Sequence, residues 1–203
     1  MLRAYASPPP RPPVPSAAAT QHDVGCRGYP VDMSTVIAPR HLIRVDSPIG
    51  RLEIVSNESA DGEFITGLAI ERQGHLPFEE QPESTSPLLE RAAQQLVEYF
   101  AGTRRDFDLP VALRGTEFQQ SVWSQLNDIG FGQVASYGEL GLATGRATAG
   151  RAVGGAVGAN PIPIIVPCHR VLATNSRITG YSGGEGIPTK AWLLAHEGIT
   201  HRV

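Results

Sequence analysis

The sequence predicts an α+β chain in which a small strand-rich unit precedes a helical one. Three observations carry the prediction. Short β-rich runs cluster between residues 41 and 69, one amphipathic helix follows them, and two capping boxes open helices beyond residue 114.

The elements follow in order. Residues 1–36 hold Pro8, Pro9, Pro10, Pro12, Pro13 and Pro15 with small residues between them, and are expected to be disordered. Met33 stands where the ordered pattern begins and is a candidate start. Residues 37–112 form the first unit. His41–Asp46, Arg51–Ser56 and Phe64–Ala69 read as strands, broken by turns at Ser47-Pro48-Ile49-Gly50 and Ala60-Asp61-Gly62. Ser86-Pro87 opens a helix with proline at its first position. Leu88, Leu89, Ala92, Leu96 and Phe100 share one face, and Gly102 ends it. No catalytic cluster is visible in this unit.

Residues 113–203 form the second unit. Thr116 and Gln119 make a capping box for a helix through Asn127, with Phe118, Val122 and Leu126 as its stripe. Ser136 and Glu139 open a second helix to about Ala143. A Gly145-Arg146-Ala147 turn leads to a third, about Thr148 to Ala159, so that two short helices and a turn suggest a helix-turn-helix. Gly150, Gly154, Gly155 and Gly158 lie inside the third helix, each costing about 1 kcal/mol against Ala. Close packing on another helix would explain them. So would close approach to a groove, with Arg151 the one long side chain there. Ile162–Val166 reads as a buried strand-like run, and Thr189–Glu197 as the last helix.

Composition narrows the function. No apolar run is long enough to span a membrane, and the N-terminus lacks the apolar core of a secretory signal, so a cytoplasmic protein is expected. Two cysteines, Cys26 and Cys168, make no disulfide framework and no zinc spacing, and no metal or cofactor is expected. The net charge is −3, but residues 114–203 carry seven Lys/Arg against five acids, while the first 113 carry ten against fifteen. A nucleic-acid surface therefore belongs to the second unit, with modest and salt-sensitive binding.

The chemistry concentrates at Pro167-Cys168-His169-Arg170-Val171. A cysteine behind an apolar run is more often an inert core thiol than a nucleophile. Here His169 and Arg170 adjoin it and could lower its pKa. Asn160-Pro161 supplies a rigid turn upstream, and His196-Glu197 a second polar group. Neighbouring residues point apart, so a water would connect Cys168 to His169, with Glu197 holding the imidazole in its basic form. Cys26, Trp123 and Trp192 read as an incidental thiol and two core residues, and His22, His41, His75 and His201 as solvated.

Taken together, Gly115-Thr116-x-Phe118-Gln119-x-x-Val122-Trp123, Ser136-Tyr137-Gly138-Glu139-Leu140, Arg151-Ala152-Val153-Gly154, Asn160-Pro161-Ile162-Pro163 and Pro167–Val171 occur in a recognisable order. Gly180-Tyr181-Ser182-Gly183-Gly184 and Lys190–Glu197 complete it. The set resembles the methylated-DNA–protein-cysteine methyltransferases (O6-alkylguanine-DNA alkyltransferases), densely from Arg114 to Gly198 and thinly over residues 40–112. The resemblance implies a ribonuclease-H-like first domain as scaffold and a winged helix-turn-helix domain that does the work. It implies a single-turnover transfer of the alkyl group of O6-alkylguanine, with O4-alkylthymine as a second candidate, to Cys168 by a monomer acting on double-stranded DNA. His169, Glu197, Asn160 and Tyr137 would assist, the last by donating to the departing purine. Tyr181, Ser182 and Lys190 would line the base pocket, and the Val171 carbonyl would read the guanine amino group. Arg151, Ala152, Gly154, Gly155, Val157 and Gly158 would face DNA, with Arg151 filling the space of the flipped nucleotide. The loop Glu185–Thr189 brings an acid near the pocket and bears on substrate size. Two rivals share some of these features: a DNA-lesion sensor that transfers nothing, and a thiol hydrolase that ignores DNA.

Overall fold

The computed structural model describes residues 40–146 and 150–202. The Pro-rich segment with His22, Cys26 and Met33, and the expected start of the third helix at Thr148, lie outside the described residues.

The three predicted strands are β1 (His41–Val45), β2 (Leu52–Ser59) and β3 (Gly62–Ile70), an antiparallel meander in the order β1-β2-β3. Ile43 pairs with Ile54 and Ile54 with Leu68, so apolar residues stack across one face. Helix α1 (Pro87–Phe100) covers that face. Its N-cap is Ser86, whose hydroxyl accepts from the Leu89 N–H, and Gly102 at φ +74° ends it. The stripe differs from expectation at one position. Tyr99 is fully buried and Phe100 only half-buried, because the face turns toward the second half of the chain.

The free edge of β3 is covered in part by the end of the first unit and in part by the second half. The Ile65 N–H donates to the Pro110 carbonyl and the Leu68 N–H to the Pro161 carbonyl. Pairing an edge this way removes a row of unsatisfied donors. It also braces the Asn160-Pro161 turn against the first domain.

Both capping boxes form as predicted, opening α2 (Glu117–Asn127) and, after the two-residue strand β4 (Ala135–Ser136), α3 (Tyr137–Ala143). Helix α2 buries Val122, Trp123 and Leu126, while Phe118 is half-buried under the Arg146 guanidinium. The Trp123 indole donates to the Ala156 carbonyl of α4 (Gly150–Gly158), which makes it the expected core residue. Helices α3 and α4 pack together and both contact α2. Strand β4 pairs in parallel with β5 (Val171–Leu172), a two-residue ladder that no local pattern announces.

Several expectations need correction. Ile162–Val166 is buried but is a turn: the Val166 N–H donates back to the Ile162 carbonyl, and Ile164 sits at φ +74°. Pro161 and Pro163 have no N–H to give a ladder. The last helix, α5 (Ile187–His196), starts two residues early because Pro188 fits its first turn after Gly186 at φ +76°. Glu197 is thereby its C-cap. Of the histidines, His75 is exposed, but His41 and His201 are half-buried against their own strand and turn. Trp192 is half-buried and stacks on His196. One apolar cluster runs from Leu52 and Leu96 through Trp123 and Val153 to Cys168 and Leu193, so the two halves share a core. No helix among the described residues is long and apolar enough to cross a membrane.

Candidate active site

Cys168 begins a single 3-10 turn, Cys168–Arg170, that follows the Ile162–Val166 turn. Asn160 fixes that upstream segment at both ends. Its carboxamide nitrogen donates to the Val166 carbonyl, and its oxygen accepts from the Ile162 N–H. The sequence thus needs an Asn there because one short side chain must act as donor and acceptor at once. Cys168 is 3% exposed and forms the floor of a pocket of about 350 Å³.

In the tight turn the three side chains diverge. His169 is fully buried, and its Nε2 lies 2.8 Å from Glu197 Oε1. Burial opposes ionisation of Glu197, but hydrogen bonds and charge from His169 and Arg170 hold it well below the usual carboxylate range. An ionised carboxylate can only accept, so Nε2 carries the proton and Nδ1 is the free acceptor. Among the described residues, Nδ1 is buried without a hydrogen-bond partner. Arg170 does not approach Cys168 as its sequence position suggested. It forks onto Glu197 through Nε at 2.8 Å and Nη2 at 2.9 Å, and Nη1 donates to the Ile129 carbonyl. The thiol is accordingly not acidified. Burial pushes the Cys168 pKa up, against the pull of the Asn160 amide, the Lys190 charge and the Tyr181 hydroxyl. Burial likewise pushes the His169 pKa down. At rest the pair is a neutral thiol and a neutral imidazole, which avoids an unpaired charge in a dry site.

Lys190 is 1% exposed and spans the pocket wall, donating to the carbonyls of Val171 and, at 3.4 Å, Gly180. Burial lowers its pKa to about 8. Val171 is itself fully buried and not part of the pocket lining, and its carbonyl serves Lys190. The buried Tyr181 hydroxyl lies beside the thiol but closes no hydrogen bond in this arrangement. The Ser182 hydroxyl donates to the Gly158 carbonyl, tying the pocket loop to the end of α4. Tyr137 enters the pocket from the start of α3, placed by the β4–β5 pairing, and accepts from the Thr179 hydroxyl at 3.2 Å. Glu185, the acid near the pocket, turns away from it and accepts from the Gln73 N–H of the first domain at 2.6 Å.

The glycines of α4 have open space around them. Among the described residues, a β-carbon at Gly150, Gly155 or Gly158 would meet nothing within 4 Å, and at Gly154 only the Tyr137 ring at 3.9 Å. Packing against another helix does not explain Gly150, Gly155 or Gly158. They give a bare outer face beside the pocket mouth, on which Arg151 and Ala152 are also exposed. Val157 differs: at 5% exposed it is a wall of the pocket. Arg151 makes no ion pair among the described residues.

Sequence reasoning missed Tyr99, whose hydroxyl donates to Glu197 from the first domain. Its spacing from Leu88, Ala92 and Leu96 put it on the buried stripe, and a buried phenol needs a partner.

Residues 117–199 match the family described as 6-O-methylguanine DNA methyltransferase, DNA binding domain, and residues 41–113 its ribonuclease-like domain. The constitutive methylated-DNA–protein-cysteine methyltransferase of Bacillus subtilis is 41% identical over 161 residues, covering 77% of this chain and 94% of that one. The chain belongs to the 6-O-methylguanine DNA methyltransferase family. The Haemophilus influenzae methyltransferase is 40% identical over 157 residues, 76% of this chain and 84% of its own. The Mycobacterium tuberculosis O6-methylguanine methyltransferase superposes with a TM-score of 0.67 at 42% identity, over 77% of this chain and 92% of that one. A second structure of that enzyme, in complex with DNA, gives the same values. The α+β architecture of a methyltransferase, a small sheet domain followed by a helical one, is thus that of the solved family members.

Proposed function

We propose that this protein repairs DNA by moving the alkyl group from O6 of a guanine onto Sγ of Cys168, once per molecule. The observation that carries the reading is the placement of Cys168 on a pocket floor, with His169 held by Glu197 so that its acceptor nitrogen is left free. The proton of the thiol passes to His169 Nδ1, through a water that bridges the diverging side chains. The thiolate attacks the alkyl carbon, the S–C bond forms, and the C–O6 bond breaks with its electron pair passing to the purine. Tyr137 donates to a purine ring nitrogen as that charge develops, the usual way an enzyme stabilises a leaving anion. Lys190 supports the transient thiolate electrostatically. The thioether has no route back to the thiol, which makes the protein a reagent.

The partner is double-stranded DNA containing O6-alkylguanine, met by a monomer. Helices α3 and α4 supply the surface, and the bare face of α4 admits a groove only about 6 Å wide. Extruding the base costs a few kcal/mol, least for a weakened pair, and Arg151 occupies the gap. A non-transferring sensor has no use for the Cys168–His169–Glu197 series, and a small-ester hydrolase none for the glycine face.

The test is intact mass and peptide mapping after mixing with a duplex that carries one O6-methylguanine. One methyl on the Cys168 peptide, restored guanine and no turnover beyond one equivalent are expected. Tight lesion binding without a mass change would establish the sensor instead. Neither binding nor transfer would favour the hydrolase.

A further inference from the structure

Glu197 is reached from three directions. His169 and Arg170 come from the Cys168–Arg170 turn, the Gly132 N–H donates at 3.3 Å, and the Tyr99 hydroxyl donates at 2.8 Å from α1 in the first domain. Oxygen Oε1 alone accepts from Tyr99, His169 and Arg170. A buried phenol needs some acceptor, and a backbone carbonyl would satisfy it. Tyr99 instead meets the carboxylate that carries the base.

The phenol is rigid and stays neutral. Its ring packs edge-on against Phe100, Phe131 and His196, and its carbonyl accepts from His196 Nε2. Burial and the Glu197 charge push its pKa far above the usual phenol range. Other charges around this group are few. Arg105 and Arg170 lie over the Phe131 ring, and the Lys190 charge acts on His169.

Each donor on an anion draws charge from the bonds made by the others. We infer that Tyr99 is a positioning residue of the alkyl-transfer site: it fixes Glu197 Oε1 under His169 and limits how strongly that carboxylate holds the imidazole proton. The first domain therefore tunes the base, and the shared core keeps the tuning group in place. This rests on the alkyl-transfer reading for its consequence, not for its geometry.

Two variants test it with opposite signs. Tyr99→Phe keeps the ring and removes the donor. Replacing Tyr99 by a ring-fluorinated tyrosine keeps the hydroxyl and makes it a stronger donor. The readouts are the His169 titration, followed by nitrogen NMR on the resting protein, and the pH profile of methyl transfer. Loss of a hydrogen bond to a charged group shifts the His169–Glu197 pair upward by about one pH unit. The acid limb of transfer moves up with it, and the fluorinated protein moves both downward. Coincident titrations in all three proteins, or displacement of both variants in the same direction, would overturn the inference. If the titrations shift as described while no protein accepts a methyl group, the tuning stands and the alkyl-transfer reading fails.

Discussion

Replacing Arg170 by Met removes the guanidinium and keeps most of the stem. Arg170 is 7% exposed at its side chain and Glu197 fully covered, so neither charge has water to fall back on. Three hydrogen bonds go: two to the carboxylate and one to the Ile129 carbonyl. Glu197 keeps Tyr99, His169 and the Gly132 N–H. Removing one partner of a buried pair costs about 3–5 kcal/mol, and the packed Met side chain leaves the net loss at the lower end, about 3 kcal/mol. For a chain of this size each kcal/mol moves the Tm by about 2–4 °C, so a fall of about 6–12 °C is expected. The pH dependence has a definite sign. Glu197 titrates lower in the folded than in the unfolded state, so its stabilisation is present above the unfolded carboxylate range and fades as pH falls through the folded value. Without Arg170 the folded value rises toward the unfolded one, so the loss on acidification starts in the same range but is smaller and is complete at a higher pH. The assay is urea unfolding followed by Trp123 and Trp192 fluorescence, at neutral pH and at successive lower values. A loss below about 1 kcal/mol would mean that desolvation already cancels the pair, and that Arg170 is not what holds Glu197 in place.

Three further outcomes follow from the geometry. Arg151→Ala weakens methyl transfer from duplex about tenfold or more, as expected if a base-extrusion cost of a few kcal/mol goes uncompensated. Reaction with free O6-benzylguanine stays near wild type, and equal losses on both substrates would make Arg151 a pocket residue. Glu185→Ala releases the pocket loop from the Gln73 N–H, so amide exchange at Gly183–Gly186 accelerates and benzyl transfer gains on methyl transfer. An unchanged benzyl-to-methyl rate ratio would remove Glu185 from substrate selection. For Lys190, burial sets the folded pKa at about 8 against an ordinary 10.5, so the unfolded chain binds the extra proton between those values. Wild-type protein should therefore gain stability relative to Lys190→Met as pH rises from about 8 to about 10.5. Parallel stability curves over that window would show that Lys190 stays protonated in the fold as it does in the unfolded chain, and that burial does not lower its pKa.

Local signals were legible and long-range ones were not. The hairpin turns, Ser86-Pro87 and both capping boxes act within a few residues, and the elements they specify form where the pattern put them. The divergence of Cys168 and His169 also followed from chain geometry alone. By contrast, the apolar run Ile162–Val166 looks like a strand to any periodicity argument, and only its prolines argue otherwise. The direction of Arg170 was misread because proximity in sequence stood in for proximity in space. Its partner lies 27 residues on. The β4–β5 pair and the Tyr99–Glu197 bond join segments whose relative position emerges only from packing the whole core. Glycine content in α4 left two explanations open, and the space around Gly150, Gly155 and Gly158 argues against close packing at those three.

Ile164 bears on how portable this chemistry is. A β-branched residue at φ +74° is strained, yet this one is 1% exposed and packed into the common core. Glycine would ease the backbone but leave a hole, so the fold accepts a twisted chain to keep the sec-butyl plug. The bend that presents Cys168 is therefore shaped from behind, by what fills the interior, as well as from the front by Asn160. Grafting Pro167–Val171 onto a foreign scaffold would transplant the thiol without its aim. The smallest transferable unit includes the socket for Ile164, and with it much of both halves of the molecule.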